Sequence, residues 1–195
     1  MSINKVFDQR PYTGAIFCGG KSQRMGVDKS GIVLGNGKTL IEYVYAVLRK
    51  VCKDIVLVGH AKGVPESMSH LKVIKDNHLE CGPLGGMEAL LASGIDRAYL
   101  VVSCDLDQLG VELLQCLSES EYSSAVVRTK DNLHPLVGIY SEDQLASVQN
   151  RLKNNKLSMH GLIEANKMAI IDLPQNLEKQ LHNVNKITDL KIEHK

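Results

Sequence analysis

The sequence predicts an α/β domain in which a parallel sheet carries helices on both faces, and three features support that prediction. Short apolar runs alternate with stretches of helical period through the first half of the chain. Two glycine clusters, Gly19-Gly20 and Gly82-Pro-Leu-Gly-Gly86, lie beyond strand-like runs. The most apolar run, Tyr99 to Cys104, delivers Asp105 at its carboxyl end. That is the edge at which open α/β sheets bind ligands.

The elements follow in order. Ala15-Ile-Phe-Cys18, bounded by Gly14 and the pair Gly19-Gly20, reads as a buried strand. Past it stand Lys21, Ser22, Arg24, Gly26, Asp28 and Lys29. Glycines let the backbone turn with its N–H groups pointing one way, and three cations with a hydroxyl complete a lining suited to a triphosphate. It is neither a Walker loop, since Arg24 and Met25 stand where GxxxxGK needs its second glycine, nor GxGxxG, since Gly19 and Gly20 are adjacent. Thr39 and Glu42 form a capping-box pattern ahead of Leu40, Tyr43, Val44, Val47, Leu48 and Val51 at helical spacing. Asp54 to Val58 reads as a strand ending at Gly59, and Leu71 to Ile74 as a shorter one ending near Asp76.

The second glycine cluster is expected to open a helix from Met87 to Ser93, with Pro83 tolerated near its start. Asp105, facing phosphates at the sheet edge, would be repelled unless a cation lay between, and Mg²⁺ suits one or two carboxylates plus substrate phosphates. The competing role for Asp105 is to cap a helix from Leu109 to Leu117, for which Asp107 is the better placed residue. Further on, Ser124 to Val127 and Leu133 to Tyr140 read as strands. Ser141 to Leu152 and Met159 to Ala165 read as helices, and Met168 to Ile171 as a last strand. His134 could touch substrate, but a lone histidine before a proline is more often a structural or surface residue. Residues 1–12 read as an N-terminal leader and 13–195 as a single domain, its nucleotide half at about 13–110 and its acceptor half at about 111–195.

Composition narrows the function. The chain has 195 residues, 44% hydrophobic and 23% charged, ordinary values for a globular domain with a substantial core. Lys+Arg number 23 against Asp+Glu 22, so no overall field points to nucleic acid or membrane. Aromatics at 4% without Trp offer no base-stacking platform. Five cysteines, odd in number and without a CxxC pair, argue against a disulfide framework or structural zinc. With no span of about 20 apolar residues and no signal-like h-region, a cytoplasmic location is expected.

The run Gly19 to Lys29, GGKSQRMGVDK, resembles the GGxSxRMGxDK signature of molybdenum-cofactor guanylyltransferases and their nucleotidyltransferase relatives. The resemblance extends through Gly82 to Gly86, Ser103-Cys104-Asp105, His134-Pro135 and Asn183-Val-Asn185, covering Thr13 to about Leu190. It implies a Rossmann-like three-layer α/β/α domain with a mostly parallel sheet, and Mg²⁺-dependent transfer of GMP from GTP to molybdopterin-bound molybdenum with release of pyrophosphate. By matching position, Cys18, Gly19, Gly20 and Ser22 would approach the nucleotide, and Arg24 and Lys29 would hold its phosphates. Asp105 would bind Mg²⁺, Asp76 with Gly82 to Gly86 would border guanine and ribose, and Asn183 and Asn185 would line the pterin end. Transient contact with molybdopterin-delivering or molybdoenzyme-maturation proteins is implied as well. The chain departs from the pattern at Cys18, where Ala is usual, at Asp107, where Pro is usual, and at Gly59-His60-Ala61. The other readings are a cytidylyltransferase acting on molybdopterin or another phosphorylated metabolite, and a non-catalytic nucleotide-binding protein of the same fold.

Overall fold

The computed structural model describes residues 12–18, 31–35, 37–60, 63–78 and 80–184. The strands are β1 (Thr13–Phe17), β2 (Asp54–Val58), β3 (Lys72–Ile74), β4 (Ala98–Ser103), β5 (Ala125–Arg128), β6 (Leu133–Ser141) and β7 (Ala169–Asp172). They form one sheet in the order β3-β2-β1-β4-β6-β5-β7. Its helices are α1 (Leu40–Leu48), α2 (Pro83–Ala92), α3 (Val111–Ser118), α4 (Leu145–Lys153), α5 (Met159–Ala165) and the short α6 (Gln175–Glu178). From β1 the chain steps outward to β2 and β3, then returns to lay β4 on the other side of β1. The β1–β4 boundary is therefore where the winding reverses, and a crevice opens there beyond the carboxyl ends of the strands.

All pairings are parallel except those of β6, which runs antiparallel to both β4 and β5. Its reversal brings the start of β6, with His134 and Pro135, to the edge where β4 and β5 end. Alternation along each strand divides the core into two layers. Ile16, Leu57, Leu100 and Ile139 pack with α1 and α3, whereas Phe17, Val58, Val101 and Tyr140 pack with α2, α4 and α5. The result is a three-layer α/β/α sandwich with a mostly parallel sheet, as the sequence predicts.

Local chemistry explains most boundaries. The α1 capping box is formed: the Thr39 N–H donates to Glu42 Oε2 at 2.8 Å, and Thr39 Oγ1 accepts from the Glu42 N–H at 3.4 Å. Other boundaries correct the expectation. α2 begins at Pro83 rather than Met87, so Gly85 and Gly86 lie inside the helix. Its residues Leu84 to Leu91 are buried throughout, and that packing offsets the glycines' poor helix propensity. α3 begins at Val111, its N-cap is Gly110 with no side-chain capping bond, and Asp107 is not its cap. The segment from Ser141 opens with a 3₁₀ turn over Glu142–Gln144 before α4 starts at Leu145.

Candidate active site

Three strand ends converge at the reversal point. After β1, the Cys18 N–H donates to the Val58 carbonyl at 2.8 Å, and the Gly59 N–H donates to the Ile74 carbonyl at 2.8 Å. These bonds carry the ladder one residue past β1 and β2 and draw the ends together. Gly59 has φ +100°, and a Cβ there would lie 2.7 Å from the Cys18 carbonyl oxygen, so only glycine fits without rearrangement. Gly86, at the start of α2, is also tightly packed. A Cβ would come within 3.0 Å of both Asp76 Oδ1 and a Val58 methyl.

Asp76 sits between these two glycines, half-buried just past β3. Its Oδ1 is buried and has no hydrogen-bond partner among the described residues. Burial pushes its carboxyl above the ordinary value, a shift the nearby His60 opposes. A buried carboxylate oxygen without a donor is costly, and a ligand offering N–H or O–H groups would relieve that cost. The turn carrying Asp76 is braced by a residue that sequence reasoning missed. Glu88, 6% exposed, accepts from Asn77 Nδ2 at 3.0 Å and from Gln149 Nε2 at 3.1 Å. No local signal marks Glu88, since both of its partners lie on other elements.

Asp105 follows β4 directly, half-buried, and Ser103 Oγ donates to its Oδ1 at 2.5 Å. The β4 loop is strapped by the chain's late segment. The Val184 N–H donates to the Asp105 carbonyl at 2.9 Å, and Asn183 forms an antiparallel bridge with Leu106. His182 Nδ1 lies 2.9 Å from Asp107 Oδ1. Farther along the same edge, Arg128, Thr129, Lys130, Asp172 and Glu178 help line a cleft of about 610 Å³, where Arg128 donates to both Asp172 oxygens. His134 stands nearby with Nε2 3.5 Å from Thr129 Oγ1. Burial lowers its pKa, partly countered by Glu178.

The structure thus gathers Asp76, Gly86 and Asp105 at one sheet edge, with Gly82 at the entry to α2. Asn183 is exposed and lies beside the Asp105 loop. Cys18 is 3% exposed, and its thiol donates to the Ile16 carbonyl at 3.4 Å within the α1 side of the core. The position thus presents backbone rather than sulfur to the crevice. Gly19, Gly20, Ser22, Arg24, Lys29 and Asn185 lie outside the described residues. Among the described residues no group of three or more His, Cys, Asp and Glu side chains gathers to hold a metal ion. Asp105 brings one carboxylate to this edge, its Oδ1 already accepting from Ser103.

Residues 14–168 match the family described as MobA-like NTP transferase domain. The chain belongs to this family. A MobA-like chain is a nucleotidyltransferase, and its relatives agree over most of its length. A probable molybdenum cofactor guanylyltransferase of Carboxydothermus hydrogenoformans is 31% identical over 184 residues, 91% of this chain and 92% of that protein. One from Flavobacterium johnsoniae is 31% identical over 181 residues, 91% of this chain and 94% of that protein. Among solved structures, molybdopterin-guanine dinucleotide biosynthesis protein A from Archaeoglobus fulgidus aligns with TM-score 0.71 at 22% identity, over 92% of this chain and 95% of that one. The 2-C-methyl-D-erythritol 4-phosphate cytidylyltransferase of Thermus thermophilus aligns with TM-score 0.66 at 13% identity, over 92% of this chain and 95% of that one. At such identities the structural likenesses speak to the MobA-like fold alone.

Proposed function

We propose that this MobA-like chain transfers GMP from GTP to the molybdopterin-bound molybdenum cofactor and releases pyrophosphate. The observation that carries the proposal is Asp76, whose buried Oδ1 lacks a donor at the crevice between Gly59 and Gly86. Guanine presents two adjacent donors, N1–H and the N2 amino group, to a carboxylate. Cytosine presents one amino group flanked by an acceptor, which a carboxylate repels. The names of the curated relatives point to the same nucleotide.

The residues divide the work by charge. Arg24 and Lys29 would hold the triphosphate against the backbone of Gly19 and Gly20, with Ser22 as a further donor. Asp105 would hold Mg²⁺, which when bound neutralises charge on the phosphates. Asn183 and Asn185 would align the acceptor so that an oxygen of its terminal phosphate faces the α-phosphorus. The new P–O bond forms at that phosphorus as the bond to the β-phosphate breaks, and pyrophosphate leaves in line. Proximity and fixed cations supply the acceleration, so no covalent nucleophile is needed.

The test is pyrophosphate release by the full chain with Mg²⁺, molybdopterin-loaded acceptor, and GTP or CTP in parallel. Release with GTP, lost in Asp105→Ala and reduced in Lys29→Ala, is the expected result. Release with CTP alone would move the activity to the cytidylyl branch. Nucleotide binding without release from either would leave a non-catalytic binder.

A further inference from the structure

The strap across the β4 loop is more ordered than a tail needs to be. From Gln180 to Val184 it meets the loop rung by rung, in antiparallel sense. Gln180 Nε2 donates to Glu112 Oε2 at 3.3 Å, and the Gln180 side chain lies against Gly110, where a Cβ would come within 2.5 Å of it. His182 meets Asp107, Asn183 meets Leu106, and Val184 meets Asp105. Leu181 and Val184 are buried at 5% and 0% exposure, while His182 and Asn183 between them are exposed. Val184 packs with Ile32 and Leu40, so the strap also touches the segment just after the Gly19 to Lys29 loop.

This pattern fixes register. A one-residue slip of the strap along the loop would carry exposed Asn183 into the buried place of Val184. Apolar burial at Leu181 and Val184 opposes the slip, but two small contacts alone hold a strap loosely. Among the described residues, the side-chain-to-side-chain bond at the middle of the ladder joins His182 and Asp107, and the Asp107 side chain is 10% exposed. A carboxylate only accepts, so the imidazole donates from Nδ1.

We infer that the Asp107–His182 pair is a positioning device that holds acceptor-side Asn183 in register beside metal-side Asp105. This inference rests on the guanylyl-transfer reading for what the two ends do. The ladder itself does not depend on that reading. Attack on phosphorus requires reacting atoms roughly 3–3.5 Å apart, and a misplacement of about 1 Å is costly. A strap that ties both substrate ends to one loop answers that need. Asp107, where the family pattern has proline, is thereby committed to the imidazole.

The test pairs amide hydrogen exchange with kinetics on the full chain. In Asp107→Ala and in His182→Ala, exchange of the Val184 amide should accelerate about 10-fold or more relative to Val101 in β4. The acceptor KM should rise by about 10-fold, while the KM for GTP stays within about twofold. Asp107→Asn, whose amide oxygen still accepts from Nδ1, should restore most of the Val184 protection. Unchanged Val184 exchange in both alanine variants would overturn the device. So would equal rises in both KM values, or Val184 exchange as fast in Asp107→Asn as in Asp107→Ala; weakened Mg²⁺ binding in Asp107→Asn would overturn the commitment of Asp107 to the imidazole. If the parent protein performs no transfer, the acceptor role falls with the activity, whereas Val184 exchange still decides whether this pair holds the ladder.

Discussion

Asp76, proposed above to face the base, carries a cost to the fold. Its carboxyl is raised above 3.8 chiefly by burial, so folding disfavours the ionised form relative to the unfolded chain. The stability it contributes is fully present below about pH 3.8 and is lost as pH rises through its raised value. In the ligand-free fold, ionisation of this carboxyl therefore costs stability. Asp76→Asn should raise the melting temperature of the ligand-free protein at pH 7 by about 2 °C. The same change should weaken GTP binding by about 10- to 100-fold, because the amide keeps one acceptor oxygen and sets an N–H donor against one of guanine's two donors. Melting curves with and without Mg·GTP read both effects. An unchanged GTP-induced shift would show that Asp76 does not face the base. The role proposed for Asp76 was legible only through resemblance; its lack of a donor depends on how Gly59 and Gly86 close around it, which no local pattern encodes.

The junction of β1 and β2 depends on one backbone conformation. Gly59 ends β2 at φ +100°, with the Cys18 carbonyl 2.7 Å from where a Cβ would stand. Gly59→Ala should destabilise the protein by about 2–4 kcal/mol, seen as a lower urea midpoint with unchanged slope. A loss below about 0.5 kcal/mol would mean that the strand ends separate easily. Elements built on such short-range chemistry were the legible ones. The α1 capping box spans four residues, and the apolar run of β4 announces itself. α2 was harder, because Gly-Pro-Leu-Gly-Gly carries loop chemistry and becomes helix only when its buried face packs against β1 and β2. Asp107 misled for a related reason. It has the chemistry of a cap, but its partner is His182, 75 positions away.

At the scale of the molecule, sheet order decides which residues can meet. Placing β4 beside β1 gathers the ends of β1, β2, β3 and β4 at one crevice. Inserting β6 antiparallel sets His134 and Pro135 at the same edge by a strand's beginning instead of its end. The alternation of strands and helices made the α/β class and the ligand edge legible. Neither the reversed strand nor the strap was, because both are settled by pairings between distant segments. The strap has a temporal consequence. At about 5–20 residues per second, a ribosome supplies His182 roughly 4–15 seconds after Asp107. For that interval the newly made β4 loop exists without its rungs, and the chain's own length acts as a delay. Arrested chains of increasing length should therefore protect β1 and β4 amides from exchange well before the Asp105 loop quiets. Simultaneous protection would mean that the loop needs no latch to settle.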